Sequence, residues 1–140
     1  MIVYQKIKGY KYRLVEQDSI WRSWLHKMPY DSDYLRLDID GTLVAKKGYS
    51  WDGASGPTID TKNSMRASLW HDALYQLIRL GVLRMDIHKP LADVLLKELC
   101  LLDGMANWRA NLWYWAVRKF GEFSCSPGEE KRHGKIYTAP

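Results

Sequence analysis

The spacing of apolar positions changes once along this chain. Before Asn63 it is close to every second residue, and after Asn63 it follows a period of about 3.6. The first pattern predicts strands and the second helices. Residues 1–15 alternate loosely through Ile2, Tyr4, Ile7, Tyr10, Tyr12 and Leu14, which predicts one or two strands. Residues 16–27 fit two patterns. Ile20, Trp21, Trp24 and Leu25 have helical spacing, and a strand over 19–25 fits as well. Residues 29–33 read as a turn. Residues 34–47 are the clearest hairpin: Tyr34, Arg36 and Asp38 take one face, and Leu35, Leu37 and Ile39 the other. Asp40-Gly41 supplies the positive-φ residues of a tight turn, and Leu43-Val44-Ala45 returns. Residues 48–57 are a loop into the first helix.

That helix is expected from Asn63 or Ser64 to Leu80, with Gly81 as its stop and Trp70, Leu74, Leu77 and Ile78 as its apolar stripe. A second helix is expected to begin near Pro90, which suits a first helical turn, and to end at Leu102 before Gly104. A third is expected over 106–120. Met105, Trp108, Leu112, Trp115 and Phe120 form one face of it, and Gly121 is its stop. Short links imply antiparallel neighbours. The fold class is therefore α+β: an N-terminal antiparallel β-sheet with its hairpin, packed on a C-terminal three-helix group. Residues 1–125 read as a single domain. Residues 126–140, charged and with two of the five prolines, read as an arm or tail.

Composition narrows the field without deciding it. A chain of 140 residues can bury roughly two thirds of its unfolded surface, so it needs no metal or disulfide to fold. Seven Trp and nine Tyr fill a core or line a binding surface. The net charge is +5, from 21 basic and 16 acidic residues. Such a field favours nucleic acid, anionic lipid or an acidic partner. Nucleic acid has weak support, since no finger, zipper or single-strand-binding motif accompanies the charge. Cys100 and Cys125 lack CxxC spacing, which argues against a zinc or redox site. The start has no long apolar core of a signal peptide, and no run of 18 apolar residues predicts a membrane span. The cytoplasm is the expected compartment.

One motif points to chemistry and is better explained by geometry. Residues 37–44, LDIDGTLV, resemble the nucleophile motif of haloacid dehalogenase-like phosphatases, with Asp38 as nucleophile and Asp40 as acid and base. That motif needs a buried parallel strand, which reads as a continuous apolar run. Here the strand alternates, and no helix pattern follows it. A hairpin with an Asp-Gly turn accounts for every residue.

The candidate site lies later. His71 shares a helix face with Leu74 and Ile78 and points coreward, while Asp72 lies about 100° further round with Ser68, Tyr75 and Arg79. A histidine in that place is ordinarily a hydrogen-bonded core residue. Asp93 on the second helix is grouped with Leu96 and Cys100, and a carboxylate there is costly to bury without a partner. Antiparallel packing of the two helices would set Asp93 against His71 and orient the imidazole. Upstream, Asp52, Gly53 and Ser55 make a turn-rich loop that is expected to lie beside His71 and Asp72.

WDGASGP, LWHDALYQ, LADVLLKEL and AVRKFG together resemble the phage and prophage family catalogued as domain of unknown function 1353, over about residues 48–121. The resemblance implies a bacteriophage or prophage protein and carries no established activity. Gly56 stands before Pro57 where a bulkier apolar residue is expected, which implies a more open loop. His71-Asp72-x-x-Tyr75 also has the spacing of the HDxxY helix of secretory phospholipases. There the His activates water, the next Asp binds calcium and an Asp on an antiparallel helix orients the His. By position those roles fall on His71, Asp72 and Asp93. The cysteines and the glycine-rich calcium loop of that family are missing, so this likeness is one of geometry.

Two functions are then expected. The leading one is a non-enzymatic virion, assembly or host-interaction protein with a phage or host protein as partner. It would act in the cytoplasm of the bacterial host or in the virion. The alternative is a small hydrolase. In it His71 is the general base, Asp93 orients it, and Tyr75 and Ser55 position groups. Asp52 and Asp72 then hold a divalent cation such as Ca²⁺.

Overall fold

A computed structural model describes residues 1–8, 12–53 and 60–125. The fold is α+β, with antiparallel sheets first and three helices after them. The chain divides into two compact units at Asp52 and Gly53.

Among the described residues the first unit holds seven short strands in two sheets. Strands β1 (Tyr4–Lys6), β2 (Tyr12–Leu14) and β7 (Ser50–Trp51) form one, in the order β1-β2-β7. Strands β3 (Asp18–Trp21), β4 (Tyr30–Asp31), β5 (Leu35–Leu37) and β6 (Thr42–Ala45) form the other, in the order β3-β6-β5-β4. Every pairing is antiparallel. The turn expected over 29–33 contains β4, which extends the hairpin by a third strand. The undecided stretch over 16–27 resolves as β3 followed by one 3₁₀ turn, Ser23–Leu25. Leu14, Leu25, Leu35, Leu37 and Leu43 fill the core of this unit, and Trp51 packs on the rings of Tyr4 and Tyr12.

The β5–β6 turn closes as the Asp-Gly pair demands. Asp38 N–H donates to Thr42 O at 2.8 Å, and Thr42 N–H donates to the Asp40 carboxylate at 2.9 Å. Gly41 has φ 98°, and a Cβ there would collide with the Arg22 carbonyl. Asp38 therefore ends an antiparallel strand and pairs with Arg36 at 2.9 Å. That topology excludes the phosphatase likeness.

The second unit is helical. Thr61 N–H donates to Ser64 Oγ at 2.9 Å and starts a 3₁₀ turn, Lys62–Ser64, which runs into α1 (Met65–Arg79). Gly81, with φ 79°, ends α1 as its sequence predicts. Helix α2 (Met85–Leu102) begins earlier than Pro90 suggests. His88 Nδ1 accepts the Arg84 N–H at 2.9 Å and caps the helix there, so Pro90 sits inside it. Helix α3 (Asn107–Cys125) runs through Gly121 instead of stopping at it. All three helices touch one another. None among the described residues is long and apolar enough to cross a membrane.

The expected face of α3 is also corrected. Met105, just before α3, is buried, but Trp108, Leu112, Trp115 and Phe120 are exposed. Ala110, Trp113, Ala116 and Val117 make the buried stripe.

Candidate functional site: a carboxylate shared by three helices

Helix α1 places His71 and Tyr75 one turn apart on its buried side, with ring centroids 3.9 Å apart. Both reach Asp93 of α2. His71 Nε2 lies 2.7 Å from Oδ1, and the Tyr75 hydroxyl donates to the same oxygen at 2.5 Å. The other oxygen accepts Lys89 Nζ at 2.8 Å, from one turn earlier in α2, and Arg118 Nη1 at 3.0 Å, from α3. Lys89 also donates to the Val117 carbonyl at 3.1 Å. Asp93 is fully buried, and His71 and Lys89 are 3% and 6% exposed. One carboxylate thus joins all three helices.

Gly121 makes room for this arrangement. A Cβ built there would collide with the Tyr75 hydroxyl and stand 3.0 Å from two ring carbons. The residue that reads as a helix stop in the sequence is therefore where α3 approaches Tyr75 closely.

Charge states follow from the surroundings. Burial alone would raise the Asp93 pKa, but the bonds from His71, Lys89 and Tyr75 outweigh it and hold the group down to about 2. Burial lowers the pKa of His71 more than Asp93 raises it, and nearby Lys89 lowers it further. The stable pair is a neutral imidazole on an ionised carboxylate. An ionised carboxylate only accepts hydrogen bonds, so Nε2 carries the imidazole proton. Tyr75 stays protonated, pushed up first by burial and then by the Asp93 charge.

The contact that helix phase implied between His71 and Asp93 is present, and Tyr75 joins it. Asp72 is half-buried on α1. Asp52 is exposed at the end of the first unit, and Gly53, with φ 81°, opens the second. Ser55, Gly56 and Pro57 lie outside the described residues. Among the described residues no group of three His, Cys, Asp or Glu side chains stands ready to hold a metal ion. Sequence reasoning missed Lys89 and Arg118. A lysine four residues before a coreward aspartate was a usable signal; Arg118 offered none beyond its charge.

The features so far define a small α+β protein whose helical unit closes over a single ionised aspartate. The family described as "Protein of unknown function (DUF1353)" matches residues 30–117, and the chain belongs to that family. The match covers β4 to α3 and includes every donor to Asp93 except Arg118. No curated protein and no solved structure matches the chain.

Proposed function

We propose that this chain is a phage or prophage interaction protein, acting in virion assembly or on the host, and that its helical unit is a scaffold. One observation carries the reading: Asp93 is fully buried and spends both oxygens on four donors drawn from three helices. A general base must meet its substrate, and His71 is 3% exposed with Nε2 committed to Asp93. In this reading His71 and Tyr75 are core residues. The phage or prophage origin, and the host cytoplasm or virion as its place of action, are supported by the motif resemblance.

A second reading has one specific support. A neutral imidazole with its proton held on Nε2 by an ionised carboxylate presents Nδ1 as a base. In that version His71 activates water, Asp93 and Tyr75 fix it, and Asp72 binds a cation such as Ca²⁺.

His71→Ala separates the two. The scaffold reading expects a marked fall in thermal stability and no hydrolysis of phospholipid or simple ester substrates by the unaltered chain. An unaltered chain that hydrolyses such a substrate, with the activity lost in a folded His71→Ala variant, would sink it. Calcium titration of the chain and of Asp72→Asn tests the cation.

A further inference from the structure

We propose that Asp52-Gly53 is a site of spontaneous backbone modification, at which Asp52 converts to isoaspartate. The inference goes beyond the scaffold reading and stands without it. The chain contains three Asp-Gly pairs, at Asp40, Asp52 and Asp103. Such a pair can close on itself because glycine has no Cβ to shield its nitrogen. The glycine nitrogen attacks the side-chain carboxyl carbon of the aspartic acid. An N–Cγ bond forms, the C–OH bond breaks, and the hydroxyl leaves as water with the amide proton. Water then opens the cyclic imide. Addition at the side-chain carbonyl restores aspartate. Addition at the main-chain carbonyl breaks the original peptide bond, so the chain runs through Cβ and the former main-chain carbonyl becomes a carboxylate. The net mass is unchanged, and water is the only reagent.

The fold treats the three pairs differently. Gly41 N–H donates to the Asp38 carbonyl at 3.1 Å, and the Asp40 carboxylate accepts the Thr42 N–H at 2.9 Å. Nucleophile and electrophile are both held in that hairpin turn. Gly104 N–H donates to the Leu101 carbonyl at 3.1 Å. Arg66 grips the Asp103 carboxylate through Nε at 3.1 Å and Nη2 at 2.8 Å. These two pairs can close a ring only when their bonds open locally. Asp52 is exposed. Among the described residues nothing bonds its carboxylate or accepts the Gly53 N–H. Conversion there adds one atom to the backbone directly after Trp51, whose ring packs on Tyr4 and Tyr12. It also moves the negative charge from the side chain to the main-chain carbon.

The test incubates the full chain at neutral pH, folded in buffer and unfolded in guanidinium chloride. Isoaspartate is read by tryptic mapping and by enzymatic methylation of the new carboxylate. Cleavage after lysine and arginine puts the three pairs in separate peptides, 37–46, 48–62 and 98–109. In the folded chain, isoaspartate should form in 48–62 at a rate within about threefold of the unfolded chain's. Peptides 37–46 and 98–109 should be slowed on the order of tenfold or more by their hydrogen bonds. Arg66→Ala should raise the yield in 98–109 and leave that in 48–62 unchanged. Asp52→Glu, whose longer side chain closes an imide far more slowly, should leave 48–62 unmodified, and circular dichroism checks its fold. If 48–62 is slowed as much as the other two, or if all three keep their unfolded rates, the proposal is overturned. Methylation of the folded chain that persists undiminished in Asp52→Glu overturns it as well. None of these outcomes touches the scaffold reading, which His71→Ala tests separately.

Discussion

Asp93 tolerates complete burial because four donors surround it, and each substitution in that shell has a separate cost. Asp93→Asn keeps the shape but removes the charge that balances Lys89 and Arg118. Breaking one side of a buried ion pair typically costs about 3–5 kcal/mol, and urea unfolding should record a loss of that order. His71→Ala removes one donor and should cost less, about 1–3 kcal/mol by the same measurement. The pairing of His71 with Asp93 was legible because an aspartate among Leu96 and Cys100 demands a partner, and helix phase offered His71. Of the two cations, Lys89 could have been found from its place one turn before Asp93, but Arg118 could not, since its long stem hides where the charged head ends. The role of Asp72 is equally hidden in a sequence, since its spacing alone does not distinguish a ligand from a solvated flank.

At the scale of single elements, Gly121 and Pro90 misled in the helices, whereas Gly81 and the hairpin pair Asp40-Gly41 were reliable. Asp40-Gly41 requires its positive φ, and Gly41→Ala meets both that strain and the Arg22 carbonyl. A loss above about 1 kcal/mol is expected in a thermal melt. Gly121 is helical and small for a different reason. Gly121→Ala pushes on Tyr75 and should destabilise by about 1–3 kcal/mol. A Gly121→Ala variant as stable as the parent would remove the close approach from the account. Helix α3 also shows why periodicity alone chose the wrong face. It has two apolar stripes, one of Trp108, Leu112 and Trp115, the other of Ala110, Trp113, Ala116 and Val117. Small residues let helices come close, so the stripe with two alanines, continued at Gly121, went inward. Size decided between stripes that hydrophobicity could not separate. The α2 start was misjudged because Pro90 is only a statistical marker, whereas the His88 ring is a real cap on Arg84.

Across the whole molecule, protonation of this site sets the pH range of stability. The folded pKa of His71 lies below its ordinary 6.5, chiefly through burial. Below 6.5 the unfolded chain binds a proton that the folded chain refuses, so stability falls as pH drops through that value. Asp93, which burial would raise but whose donors hold it at about 2, adds a second loss as pH falls below 3.8. On the alkaline side Tyr75 is raised from 10.0, first by burial, and the unfolded chain loses a proton there that the folded chain keeps. Cys100 and Cys125 are raised by burial from 9.0 to about 12 and act in the same direction. Urea midpoints should therefore be level between pH 6.5 and 9.0 and decline on both sides. His71→Gln should erase the limb that begins near 6.5 and leave the others.

Those two thiols have a use that has nothing to do with the site. Alkylating reagents attack the thiolate, and each sulfur is sealed and held protonated in the folded chain. A reagent can mark them only in the intervals when a helix lifts away. Cys100 sits deep in α2, and Cys125 at the last described turn of α3. Labelling kinetics at the two positions become a pair of internal clocks for local opening. If Cys125 is marked first, the end of α3 frays before α2 yields; equal rates mean that the helical unit opens as one body.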